Sequence, residues 1–359
     1  MHQLGLRSKY PSLNGWPKYY SQAKGIMIDN YIDMAYMGIK SNILGYANET
    51  VNNAVKKAID NGNMSSLNPR NEKVLAELLL DIHPEMDIVR YARTGGEACM
   101  IAFQIAIYYH FEKTKIININ NYNIIFVGYN GWHIKQIESK YCRLYRNKIN
   151  DINIDNLIRP DIIFFELIRY ERPKESVIKL LKEWQEKGTI LVCDEITSGF
   201  RFHPGGAYQL FGLEPDIVIF GKAMSNGFPM AAIMGKKEIM EHANDLWISS
   251  TYFTESIGPS AAIATIQELQ KKDYAYLDYI SLFMLDAWEN QFENIKTYGP
   301  GPLISFKWDT KHEKKKLNYS KFMLENNILA TDAFFPSFAH EKKHLEKFCK
   351  ILKYYRHTV

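Results

Sequence analysis

Cysteine is scarce, with four residues in 359, and Cys99, Cys142, Cys193 and Cys349 are widely spaced and form no CxxC pair. A disulfide framework is therefore not expected, and free thiols in a reducing compartment are. Long apolar runs are missing as well. The longest stretches, such as Ile124 to Val127 and Ile162 to Phe165, span only a few residues, against the roughly 18 to 20 needed to cross a bilayer. No membrane segment is predicted. The opening MHQLGLRSKYPSLNG has no continuous apolar core of the kind a signal peptide needs, which points to the cytoplasm. Neither sign of charge prevails: 44 Lys plus Arg face 40 Asp plus Glu, and a net charge of +4 leaves no general footprint for nucleic acid. Repeats and low-complexity linkers are absent. What remains is 46% hydrophobic and 23% charged, enough to bury one large core or two smaller ones and to exclude disorder as the main state.

Short β-branched and aromatic runs alternate with helical patterns. Ile124 to Gly128, Asp161 to Phe165, Thr189 to Cys193 and Asp216 to Phe220 read as buried strands. Glu97 to Phe111 carries apolar residues near helical spacing, and Ser176 to Lys187 begins on a capping residue and ends before Gly188. Continuous apolar strands separated by helices predict an α/β fold, a mostly parallel sheet covered on both faces, whose ligands sit at the strands' carboxyl ends. After about Ser256 the pattern changes to helices, a strand-like Leu303 to Trp308 and a last amphipathic helix from Glu341 to Tyr355. The expected organisation is a large ligand-binding domain over 49–255 and a small α+β domain over 256–359. The opening residues 1–48, with a hairpin-like pair at Gly25 to Ile28 and Tyr31 to Met34, join the small domain.

Four constellations carry chemistry. Thr94-Gly95-Gly96-Glu97-Ala98 precedes a long helix, and two glycines there let backbone N–H groups approach an anion favoured by the helix dipole. Many glycine pairs merely start helices. In Gly128-Tyr129-Asn130-Gly131-Trp132-His133 a strand runs out into glycines bracketing an aromatic ring, which can lie on a planar ligand or simply fill a turn. Asp194 and Glu195 end an apolar strand, where acids are costly to bury unless they meet a cation. Asp216 to Phe220 delivers Lys222 into the turn Gly221-Lys222-Ala223-Met224-Ser225-Asn226-Gly227. A lysine desolvated there loses pKa and becomes an amine nucleophile, whereas a snorkelling surface lysine does not. Together the four supply an anion cradle, an aromatic lid, an acid for a pyridinium and a lysine for an imine, which is what pyridoxal 5′-phosphate requires.

With these segments the chain resembles the class III, or ω-type, pyridoxal-phosphate-dependent aminotransferases of fold type I, and among them the glutamate-1-semialdehyde 2,1-aminomutase branch. Further matching segments are Tyr31-Ile32-Asp33-Met34, Ile43 to Asn48, Asp194 to Arg201 and Phe335 to His340. The resemblance implies that Lys222 holds the cofactor aldehyde and Asp194 its ring nitrogen. It implies that Ile196 and Tyr129 flank the ring and that Thr94, Gly95 and Gly96 take the phosphate. Ser249-Ser250-Thr251 resembles a segment whose threonine reaches the phosphate of the neighbouring subunit, so a homodimer with a shared active site is implied; the other reading of Thr251 is a loop hydroxyl. The implied reaction moves an amino group between a small amino compound and an aldehyde or ketone.

Departures bear on the substrate. Asn130 stands where the family has histidine, the turn between Asp29 and Tyr31 is trimmed, and the region after His133 is short. The aminomutase's amino-terminal arginine, which binds the substrate carboxylate, is missing from Asn14-Gly15-Trp16-Pro17-Lys18, and Phe334-Phe335-Pro336-Ser337 replaces its carboxy-terminal glutamate motif. Intramolecular transfer by an aminomutase is the alternative outcome of the same half-reactions. Two remoter alternatives are a catalytically silent binding subunit of this fold and a zinc peptidase, the latter because His340-Glu341-Lys342-Lys343-His344 satisfies HExxH. Two intervening lysines and the lack of a third ligand speak against zinc and for a solvated helix start.

Overall fold

A computed structural model describes residues 16–134, 142–146, 148–152, 158–309 and 313–355. Asn14, Gly15 and the stretch directly after Ile134 lie outside the described residues. The chain divides into two compact units, Glu49–Lys272 and the flanking segments Met1–Asn48 with Asp273–Val359.

The first unit is built on a seven-stranded sheet: β1 Ile88–Ala92, β2 Ile124–Val127, β3 Cys142–Arg146, β4 Ile162–Phe165, β5 Ile190–Asp194, β6 Ile217–Phe220 and β7 Ala231–Gly235. Its order is β1-β7-β6-β5-β4-β2-β3. Only β7 runs against its two neighbours; the remaining adjacent pairs are parallel, so six strands share one direction. Every residue of β2, β4, β5 and β6 is buried, which is why these segments read as continuous apolar runs without alternation.

Helices α1 Glu49–Asp60, α2 Arg70–Ile82, α3 Gly95–Thr114, α4 Glu175–Glu186 and α5 Ile257–Leu269 complete the described long elements of this unit. Helix α3 starts on a reciprocal cap in which Thr94 Oγ1 accepts the Glu97 N–H and the Glu97 carboxylate accepts the backbone N–H of Thr94. In α4 the predicted capping residue Ser176 lies inside the first turn, because the helix begins one residue earlier with Lys174 at its cap and no side-chain bond there. The apolar helix α5 packs against α1, α2 and the short turn Lys222–Ser225. That packing keeps it with the sheet, although its place after residue 255 suggested the C-terminal elements. Cys99, Cys193 and Cys349 are free thiols, and no described helix is long and apolar enough to cross a membrane.

In the second unit the hairpin Met27–Ile28 and Tyr31–Met34 forms part of a four-stranded sheet, and Ile328–Ala330 joins it in parallel with Tyr31–Met34. The opening and closing segments of the chain thus share one sheet. Trp288, Phe292, Phe306, Tyr319 and Phe334 fill the core between this sheet, a three-stranded one and the helices Ala275–Gln291 and Lys342–Tyr355. Asp33 organises the turn that follows its strand. Its carboxylate accepts the N–H groups of Ala35, Tyr36 and Met37 at 2.9, 3.0 and 3.0 Å and the Tyr46 hydroxyl at 2.6 Å. His340 is buried, with Nδ1 accepting the Ser337 N–H at 3.0 Å and Nε2 3.0 Å from the Asp33 carbonyl oxygen. Burial holds His340 neutral by lowering its pKa to about 4. Lys342 and Lys343 are exposed as expected, but His340 is not part of a solvated helix start: it precedes the helix Lys342–Tyr355 and both its nitrogens serve the fold. The zinc reading fails on that geometry.

Asp33→Ala leaves two buried N–H groups, one partly buried N–H and a hydroxyl without their acceptor, a loss of about 3 kcal/mol. Chemical denaturation of the variant should show that drop, whereas an unchanged midpoint and slope would mean that the turn holds without the carboxylate.

Candidate active site

Four neighbouring strands, β6, β5, β4 and β2, end on the same edge because they run parallel, and each delivers a polar group there. After β6 comes Lys222, partly buried on a left-handed backbone with φ +44°, a conformation unfavourable to any residue with a side chain. Its Nζ donates to Thr197 Oγ1 at 2.9 Å. Strand β5 ends at Asp194, whose Oδ1 accepts the Ile196 N–H at 3.0 Å. Among the described residues its Oδ2 meets no donor stronger than the Cys99 thiol, with Sγ 3.8 Å away. Beyond β4 stands Glu166, also buried, and its Oε2 accepts the Tyr129 N–H at 2.8 Å from the turn after β2. Gly128 permits that approach: it has φ +97°, and a Cβ there would sit 2.5 Å from Glu166 Oε2.

The cradle and the turn close on one another. A Cβ on Gly95 would stand 2.9 Å from Ile196 Cδ1, and Gly221, directly before the lysine, faces the same Ile196 side chain. Gly96 is covered by Gly131 and His133, so that a Cβ on Gly96 would meet His133 Nδ1 at 2.7 Å. Thus Thr94, Gly95, Gly96, Ile196, Asp194, Lys222 and the turn bearing Tyr129 are brought together. The Tyr129 ring is 43% exposed at the rim. Thr251 opens an exposed turn, Thr251–Thr254, fastened by Arg93, which donates to the Phe253 and Glu255 carbonyls at 3.0 and 3.2 Å and pairs with Glu255 at 2.6 Å. Buried Asn130, in place of histidine, donates from Nδ2 to the Val127 carbonyl at 3.0 Å and so closes the turn on itself.

Burial sets the electrostatics. It lowers the Lys222 pKa, with Glu166 and Asp194 pulling the other way, so the amine sheds its proton more readily than an exposed lysine. It raises Asp194 to about 7, reinforced by Glu166 and opposed by the Ile196 N–H, Lys222 and Arg169. Cys99 is pushed well up by burial and by Asp194, which keeps it a thiol and a hydrogen-bond donor. Sequence reasoning missed Thr197, Glu166, Arg169 and Cys99. Glu166 carried a signal that was available, an acid directly after an apolar strand, the same signature as Asp194.

The fold and this edge define an enzyme built to hold a ligand between a desolvated amine and a buried acid. The pattern of the class-III aminotransferases matches residues 18–131 and 170–353, and the chain belongs to that family. It is 32% identical over 297 residues, 74% of this chain and 69% of the relative, to a 3-aminobutyryl-CoA aminotransferase from Cloacimonas acidaminovorans. It is 30% identical to a glutamate-1-semialdehyde 2,1-aminomutase from Nitrosopumilus maritimus over 79% of this chain and 74% of that one. Among solved structures, the acetylornithine aminotransferase of Elizabethkingia anophelis superposes with a TM-score of 0.81 at 18% identity, covering 96% of both chains. Enzymes of this family use pyridoxal 5′-phosphate, and this chain is a pyridoxal-phosphate-dependent aminotransferase or aminomutase. Glu166 and Arg169 fall between the two matched stretches.

The raised Asp194 carboxyl has a consequence for the cofactor-free protein. The folded chain keeps a proton that the unfolded chain releases near 3.8, so this group's contribution is full below that value and lost as pH rises through about 7. Asp194→Asn removes the loss. Thermal melts of the cofactor-free proteins should coincide near pH 4 and show the variant more stable at about pH 8; a wild type that is the more stable of the two at high pH would contradict desolvation as the dominant cause.

Proposed function

We propose that the protein is a homodimeric, cytoplasmic aminotransferase that moves an amino group between a small amino compound and an aldehyde or ketone. The observation that carries this reading is the pair Lys222 and Asp194: an amine and an acid at the ends of adjacent strands, the acid buried and the amine largely shielded from water, with pKa values shifted toward their neutral forms. The residues fit pyridoxal 5′-phosphate. Asp194 Oδ2, buried and bonded among the described residues to the Cys99 thiol alone, suits a charged ring nitrogen far better than it suits an apolar interior. The first turn of α3 at Thr94, Gly95 and Gly96, with its backbone N–H groups and helix dipole, suits the phosphate, and Ile196 and Tyr129 suit the two faces of a flat ring. When bound, the protonated pyridine supplies an electron sink for the carbanion formed at the amino-bearing carbon.

The chain's own groups do the rest. Asp194 holds the ring nitrogen protonated. Lys222 Nζ would hold the cofactor's aldehyde carbon and, when free as an amine of lowered pKa, would carry the proton away from the substrate carbon and return it. Thr197 Oγ1, 2.9 Å from Nζ, orients the amine for that transfer. An aminomutase would use the same groups and retain the intermediate, but the arginine-free segment Asn14 to Lys18 favours transfer between separate molecules.

Borohydride reduction followed by peptide mass spectrometry should find a pyridoxyl adduct on Lys222, and Lys222→Ala should lose both the visible chromophore and multiple turnover. An adduct on Lys236 or Lys237 would overturn the assignment.

We also propose that Thr251 of one subunit donates to the phosphate held by Gly95 and Gly96 of the other. The exposed Thr251 and Tyr252, polar donor beside large aromatic, suit a surface that a second subunit covers. Mixing Lys222→Ala chains with Thr251→Ala chains tests this geometry. Action across the interface puts both lesions in one site and none in the other, so heterodimers should regain about half of wild-type activity per dimer. Demonstrated heterodimers without recovery would assign Thr251 to its own chain.

A further inference from the structure

Arg169 is the charged group of this edge that neither the lysine nor the ring-nitrogen acid requires. It stands three residues after Glu166, and its Nη1 donates to Glu166 Oε2, the oxygen that also accepts the Tyr129 N–H. The guanidinium carbon lies 5.9 Å from the Tyr129 ring centre and 5.1 Å from that of Tyr170. Burial works against its charge, and the Glu166 carboxylate and Tyr170 more than compensate, so the guanidinium stays cationic. Its positive charge acts on both Asp194 and Lys222.

A role confined to packing does not account for this arrangement. Glu166 fixes the Tyr129 turn by accepting its backbone N–H, and Arg169 compensates the buried carboxylate through Nη1. The Arg169 side chain is 28% exposed while that of Glu166 is 2% exposed, so the acid is the buried anchor and the guanidinium the accessible end. Arginine has five N–H donors in a rigid fork. Glu166 occupies Nη1 and the Tyr170 hydroxyl takes a further bond; among the described residues the remaining N–H donors of the fork are available to an incoming anion. An amino acid brings the complementary pair of charges, an amine for the Lys222 end and a carboxylate for the rim beside Tyr129.

We propose that Arg169 is the specificity-determining residue of this site: it binds the carboxylate of the amino or keto substrate in a charge-assisted pair beside the Tyr129 ring, with Glu166 holding the guanidinium in position. The proposal rests on the reading of Lys222 and Asp194 as the reacting end of the site. It selects carboxylate-bearing donors and acceptors over simple amines and aldehydes.

The test is calorimetric titration of the cofactor-loaded enzyme with glutarate and butyrate as carboxylate probes and butyramide as their neutral counterpart. The wild type should bind the carboxylates measurably better than the amide. Arg169→Gln should weaken the carboxylates by about tenfold or more while butyramide binding stays unchanged and a visible chromophore is still present, and Arg169→Lys, which keeps the charge but not the fork, should fall between. Equal affinity of wild type and Arg169→Gln for glutarate, or equal losses for carboxylate and amide, would overturn the proposal; so would a wild type that binds no carboxylate. If Arg169→Gln does not fold, Arg169→Lys decides by the same comparison. The spectrum reports separately on Lys222, so a wild type that lacks a chromophore but binds glutarate through Arg169 would reject the transfer chemistry and retain the carboxylate site.

Discussion

Burial of ionisable groups at the ends of parallel strands is the constraint on which the rest of this molecule depends. Parallel strands must be covered on both faces, so a side chain at their shared edge loses most of its water. Asp194, Glu166 and Lys222 all stand there and are all buried or nearly so. Isolated, each would neutralise or drag the edge apart. Set together they compensate in part: the acids oppose the fall in the lysine's pKa, and the lysine and Arg169 oppose the rise in that of Asp194. The compensation is incomplete: burial still lowers the pKa of the Lys222 amine and raises that of the Asp194 carboxyl, whose Oδ2 meets, among the described residues, no donor stronger than the Cys99 thiol.

Holding such a cluster requires a rigid surround, and the surround is visible in the local structure. The turn Lys222–Ser225 carries the left-handed lysine and is backed by α5. The reciprocal cap of Thr94 and Glu97 fixes the first turn of α3, and Arg93, just before it, binds the strand end to the segment Phe253–Glu255. Ile196 packs where Gly95 and Gly221 lack side chains, so three loops from different strands meet at contact distance. Larger residues at those glycines would push the anion cradle away from the lysine's turn.

Much of this was legible in the sequence, for a physical reason. Buried parallel strands must be uniformly apolar, and a lone polar residue at the end of such a run is conspicuous, as Asp194 and Lys222 are. Helix α3 announced itself by the glycines and capping residues at its start. Side-chain partnerships were not legible. Nothing in spacing says that Thr197 will meet Lys222, or Cys99 meet Asp194, because those contacts depend on which strands become neighbours. The antiparallel β7 was hidden for a similar reason: its apolar run Ala231–Met234 has the same composition whichever way it points. His340 was misread as solvated since the adjoining lysines are exposed, and its burial is decided by the distant Asp33 turn.

The division between legible and hidden parts coincides with a division of labour. The residues proposed for the chemistry lie at the ends of β5 and β6 and in the first turn of α3, where backbone geometry leaves little freedom. Those proposed to meet a substrate's far end lie on the turns after β2 and β4, at Tyr129, Glu166 and Arg169, where one buried carboxylate oxygen joins two loops. Changes in those turns cost the sheet little, because the strands beneath are already buried and paired. Asn130, whose Nδ2 closes its own turn on the Val127 carbonyl, falls in this same permissive zone. A fixed reacting end joined to an adjustable rim lets this chain keep the amino-transfer machinery of its family while its turns set which molecule reaches the lysine.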